Sequence, residues 1–92
     1  GMTALELPDL SENKVIFMLV AGSFSVESNA MNLSADLIRK GFDSEVYLQD
    51  SGLHLVTFSA HADEQSARIQ LAELREEKST ERAWLKRFGA AH

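Results

Sequence analysis

The chain has 92 residues, enough for one small domain with a single hydrophobic core and too few for a second. Its composition, 45% apolar and 25% charged, is that of an ordinary globular protein, well away from the disordered and membrane classes. Nine Lys and Arg against fourteen Asp and Glu leave a net charge of −5, which opposes attraction to nucleic acid, and the lack of cysteine excludes disulfides and thiolate metal sites.

Gly1 before Met2 reads as the scar of a cleaved expression tag, so the chain is expected to come from a longer protein whose targeting segment it lacks. Residues 2 to 13 carry Leu5, Leu7 and Leu10 among acids and Pro8 without a clear period, so residues 1–13 read as scar and lead-in or linker and 14–90 as the domain. Val15 to Ala21 is β-rich and apolar on both faces, a pattern that predicts a central strand, far too short to cross a bilayer, broken by Gly22-Ser23. Ser25 is placed to cap a helix in which Ala30, Leu33, Leu37 and Ile38 form one stripe, and Gly41 is the expected stop.

Glu45 to Gln49 alternates and predicts a second strand, with Val46 and Leu48 on one side and Glu45, Tyr47 and Gln49 on the other. Asp50-Ser51-Gly52 is a hairpin turn, so Leu53 to Phe58 should run back antiparallel. Asp63 caps a second helix reaching about Lys78, with Ala67, Leu71 and Leu74 inward, and Ala83 to Phe88 forms the last strand. The chain also repeats itself: Leu19-Val20-Ala21-Gly22-Ser23-Phe24, followed by Ala30 and Leu37, returns as Val56-Thr57-Phe58-Ser59-Ala60-His61, followed by Ala67 and Leu74. Two strand–turn–helix units give an α+β fold of order β-α-β-β-α-β, the ferredoxin or RNP-like arrangement. Right-handed crossovers put both helices on one face of a four-stranded antiparallel sheet.

Phe17-Met18-Leu19-Val20-Ala21-Gly22-Ser23-Phe24, with Asn29-Ala30 and the helix ending Arg39-Lys40-Gly41-Phe42, resembles the signature of the SPOR (sporulation-related repeat) domain. Leu53 to Ala67 matches the family's second unit without a gap, and Ala83-Trp84-Leu85 resembles its closing strand, so the resemblance covers residues 15 to 88. It implies a non-catalytic domain that binds peptidoglycan glycan strands stripped of their stem peptides. A bacterial envelope or periplasmic setting is implied too, often at division sites. Three positions depart from the pattern: Val20 stands at the family's Gln position, Leu55 at its Arg position, and Ser59-Ala60-His61 replaces the second Gly-Ser-Phe.

Period-two alternation puts Leu19, Ala21, Val46, Leu48, Val56 and Phe58 toward the helices, and Met18, Val20, Tyr47, Leu55 and Thr57 on the opposite, open side. An exposed apolar set of this kind calls for a cover, whether a ligand, a partner chain or the protein's own tail. For a glycan, aromatic faces would stack on pyranose rings while Ser23, Gln49 and Thr57 hydrogen-bond hydroxyls, over a floor of Val20 and Leu55. Tyr47 and Trp84 are the aromatics available; Leu85 competes with Trp84 for the inward position, so Trp84 is equally compatible with core and open face. The alternative is a degenerate domain whose apolar face serves homodimerisation or other protein contact, including docking of the leucine-bearing segment from residue 5 to 10.

Other chemistries find little support in the sequence. His54 and His61 stand at aromatic positions of the family pattern, with no acid at metal-ligand spacing, so no metal, cofactor or catalytic role is assigned to them. Arg82, Lys86 and Arg87 form the one basic cluster, placed at a strand edge and suited, if it binds, to the lactyl carboxylates of muramic acid. Nucleic acid is an unsupported partner, because the central strands lack the aromatic pairs and basic face of an RNA-binding sheet, and no segment supports direct membrane insertion.

Overall fold

The computed structural model describes residues 4–6 and 15–89. In chain order the elements are β1 (Leu5–Glu6), β2 (Val15–Phe24), α1 (Glu27–Arg39), β3 (Val46–Leu48), β4 (His54–His61), α2 (Glu64–Arg75) and β5 (Trp84–Gly89). The strands form one sheet of order β1-β3-β4-β2-β5. Its four principal strands are antiparallel, with β2 paired to both β4 and β5 and β3 to β4, and the two helices lie on one face as the repeat predicts. The sheet also gains β1, which pairs parallel to β3 with Leu5 opposite Tyr47 and Glu6 opposite Leu48. A two-residue edge strand has no period to read, so residues expected as part of a lead-in supply a structural element.

β2 does not stop at Gly22-Ser23 but runs on to Phe24, because register shifts between Leu19 and Val20 and between Val20 and Gly22 absorb the irregularity as bulges. Gly22 itself stays paired with Val56. α1 begins after Val26, which has extended dihedrals and no capping side chain, so the expected Ser25 cap is not made. Its other end is as predicted. The Gly41 amide donates to the Ile38 carbonyl and that of Phe42 to the Leu37 carbonyl, while Gly41 sits at φ 99°, the left-handed geometry of a Schellman stop. Asp63 caps α2 by accepting from the Ser66 backbone amide at 2.8 Å, and the helix ends at Arg75, short of the expected Lys78.

Between helices and sheet lies a core of Leu19, Ala30, Leu37, Val46, Val56, Phe58, Ala67, Leu71, Leu74 and Ala83. Phe42, delivered by the Gly41 stop, meets Phe58 edge-on with ring centroids 5.1 Å apart. Leu48 and Ile38, both expected inward, are exposed instead. Leu48 is the last residue of a short strand, opposite His54 at the end of β4. One buried polar pair interrupts the core, Ser34 of α1 and Ser44 before β3, whose hydroxyls bond at 2.8 Å and so satisfy each other.

The drifted second repeat has a structural role. Ser59 and His61 point to the helix side at the end of β4, where the Ser59 hydroxyl donates to Gln70 Oε1 of α2 at 2.6 Å and His61 Nε2 lies 2.8 Å from the same oxygen. In the first unit the corresponding position is apolar, the Phe24 ring folding over Gly22 and packing against the core. The two halves thus fasten strand to helix by different chemistry.

Candidate functional site

The face away from the helices is built in rows by the strand register, since directly paired residues share a side. At one end Leu5, Tyr47, Leu55 and Ser23 follow one another across β1, β3, β4 and β2. The next row holds Glu45, Thr57, Val20 and Trp84, followed by Met18 beside Lys86, and then by Ile16 beside Phe88. Trp84 therefore lies on this second face, paired with Val20, and Leu85 takes the inward place beside Leu19. Register on β2 decides what alternation in β5 alone leaves open.

Every sheet residue expected on this face is there, but its centre is shielded. Met18 and Val20 have no exposed surface, Leu55 has 1% and Tyr47 9%, and together they form a second apolar cluster flanked by Ile16 and Phe88. The Thr57 hydroxyl is also buried and engages the Glu45 backbone, accepting from its amide at 3.3 Å. The accessible side chains are those of the margin: Leu5, Trp84 at 38% exposure, Ser23, Glu45 and, half-buried, Gln49 and Lys86.

Glu45 and Lys86 add charge that the candidate set from sequence did not contain. Tyr47 donates its phenolic hydrogen to Glu45 Oε2 at 2.8 Å, and burial together with that hydrogen bond raises its pKa above the ordinary value. The phenol is thereby oriented along the face, and Glu45 keeps acceptor capacity for a hydroxyl or an amide N–H. The i, i+2 spacing of Glu45 and Tyr47 on one strand was the available signal. Lys86 reaches over the Phe88 ring, 5.4 Å from its centroid. The basic cluster does not act as one surface, because Lys86 pairs with Met18 and Arg87 with Phe17, which places them on opposite faces.

Neither β4 histidine joins this set. His61 is held by Gln70 and Ser59 on the helix side, and His54 Nε2 lies 3.6 Å from Glu27 Oε2, tying β4 to the first turn of α1. Among the described residues no three His, Asp or Glu side chains converge as a metal site, and no helix is long and apolar enough to cross a membrane.

The SPOR domain family model matches residues 13–87. The structure is similar to the solution structure of the peptidoglycan binding domain of the B. subtilis cell wall lytic enzyme CwlC, with a TM-score of 0.66 and 28% sequence identity over 90% of this chain and 100% of that one. A comparison with curated proteins gave no match. With the Gly22-Ser23-Phe24 segment at the end of β2, the Lys40-Gly41-Phe42 helix stop and the sheet all lying within the matched span, this chain belongs to the SPOR domain family.

Proposed function

We propose that this domain is a non-catalytic peptidoglycan-binding module recognising glycan strands that lack stem peptides. Its setting would be the bacterial envelope or periplasm, within a larger cell-division or cell-wall protein. Membership of the SPOR family and likeness to a domain described as peptidoglycan binding support the class of ligand. The observation that carries the reading in this chain is Trp84, a large aromatic left 38% exposed on the sheet face beside Val20. An indole plane held by strand pairing offers a stacking surface to a pyranose ring at little entropic cost, with Ser23 one row along on the neighbouring β2 and Glu45 and Gln49 across the sheet as hydrogen-bonding groups for a longer stretch of glycan. Val20 and Leu55 form the floor beneath, Tyr47 positions Glu45, and Thr57 holds β4 to Glu45.

The test is retention on cell-wall sacculi enriched in, or depleted of, peptide-free glycan. Wild type should be held preferentially by the enriched material, and Trp84→Ala should weaken that retention roughly tenfold, the scale of a single aromatic anchor. Equal or absent retention on both preparations would overturn the reading.

A further inference from the structure

β5 closes the sheet on one side. It is the last strand in the order β1-β3-β4-β2-β5 and, among the described residues, pairs only with β2, so its other edge carries backbone groups without a strand partner. Alternate residues of an antiparallel strand turn both N–H and C=O to the same side. Over the six residues Trp84–Gly89 this leaves a row of outward donors and acceptors roughly 20 Å long, at about 3.3 Å per residue. β1, at the opposite edge, has two residues and offers no comparable length.

The charge at this edge is opposite in sign to that of the molecule. The chain carries −5, yet β5 contains Lys86 and Arg87 and no acid. Glu81 and Arg82 precede it, and Arg75 Nε donates to the Ala83 carbonyl at 3.3 Å, so a further guanidinium is held near its start. The ion pairs among the described residues, Arg39–Asp36, His54–Glu27 and Arg68–Glu64, engage none of these four cations. Lys86 and Arg87 point to opposite faces of the sheet, so a ligand lying on one face meets only one of them. A strand added at the edge has two faces of its own, and neighbouring residues along it meet Lys86 on one and Arg87 on the other.

The same charges decide which strand can add. Antiparallel pairing of β5 with a second copy about the strand's midpoint would set Lys86 against Arg87 of the other chain, and a shift by one residue would set one of the two against itself. Like charges directly opposite are destabilising, which closes the edge to its own kind. An extended segment with two adjacent carboxylates reverses the sign of both contacts.

We propose that the outer edge of β5 is a docking site for an acidic polypeptide segment of a partner protein, which adds to the sheet as a further strand and sets consecutive Asp or Glu side chains opposite Lys86 and Arg87. Main-chain hydrogen bonds along Trp84–Gly89 attach the segment, and the two cations select its charge. The glycan surface proposed above is the face of Trp84, whereas this site is the rim of the same strand.

The experiment is an amide NMR titration of the isotopically labelled 92-residue chain at low salt. The probes are the end-blocked peptide Thr-Val-Glu-Asp-Val-Thr and its neutral counterpart Thr-Val-Gln-Asn-Val-Thr. The acidic peptide should shift the backbone amides of Trp84–Gly89 and bind roughly three- to tenfold more tightly than the neutral one, the scale of two exposed ion pairs. Lys86→Gln with Arg87→Gln should abolish that preference. Arg87→Gln alone, at an exposed position, should remove part of it and serves if the double variant does not fold. Unmoved β5 amides, equal binding of the two peptides, or shifts confined to Ser23 and Tyr47 on the second face would each overturn the proposal. So would β5 shifts produced by peptide-free glycan fragments but not by the acidic peptide, which would give the edge to sugar carboxylates. The peptide arms contain no glycan, so their failure leaves the peptidoglycan reading standing.

Discussion

Gly22 stands on β2 with the ring of Phe24, two residues on and on the same side of the strand, folded back over it. A Cβ added at Gly22 would lie 2.9 Å from Phe24 Cε2 and 3.1 Å from its Cζ, so the ring would have to shift to admit it. The glycine of the Gly-Ser-Phe segment is therefore favoured by its own phenylalanine, and the serine between them, facing the other way, is free for the second face. Gly22→Ala should cost about 1–3 kcal/mol, the usual penalty of overpacking, read as a lower midpoint in urea or thermal unfolding. Gly22→Ala combined with Phe24→Leu should lose less than the sum of the two single changes, since the smaller side chain removes the clash. Strict additivity would show that Gly22 is required for some other reason.

Among the elements, the helix ends differ in how they are finished. Asp63 caps α2 through its carboxylate, whereas Val26 at the start of α1 has extended dihedrals, an exposed side chain and no side-chain cap. Val26→Ser places an acceptor where that geometry already suits one, and should stabilise the domain by about 0.5–2 kcal/mol, seen as a rise in unfolding midpoint without change in slope. A midpoint unchanged or lowered would mean that Val26 makes a contact worth more than the missing cap. The two long amphipathic helices, the hairpin at Asp50-Ser51-Gly52 and the Gly41 stop were legible because each rests on local chemistry: a 3.6-residue stripe, a turn dipeptide, a left-handed glycine. What escaped rests on distant partners. β1 exists only because β3 offers an edge, the continuation of β2 past Gly22 depends on bulges against β4, and the side taken by Trp84 is fixed by its pairing with Val20. The candidate site was legible as a face, since alternation assigned Met18, Val20, Tyr47, Leu55 and Thr57 to one side, but its shielding was not, because burial depends on tertiary packing that strand alternation does not encode.

For the whole molecule, electrostatics separates two ways in which a SPOR domain could hold glycan. The chain carries a net charge of −5, and glycan freed of stem peptides exposes a lactyl carboxylate on each muramic acid, so the long-range interaction between them is repulsive. On the second face itself, Glu45 and Lys86 are of opposite sign, and Arg87 is turned to the other side, so among the described strand residues no concentrated positive patch compensates locally. Binding carried by Trp84 stacking and by short hydrogen bonds is barely screened, whereas the repulsion between the two bodies decays over a Debye length that shrinks from about 30 Å at 0.01 M salt to about 3 Å at 1 M. Retention on peptide-free sacculi should consequently hold steady or rise as sodium chloride is increased over that range, opposite to the behaviour of a domain that binds through a basic surface. A fall of about tenfold or more would instead assign the binding energy to Lys86, Arg82 and Arg87 meeting the carboxylates, and would move the contact from the Trp84 margin to the β5 edge.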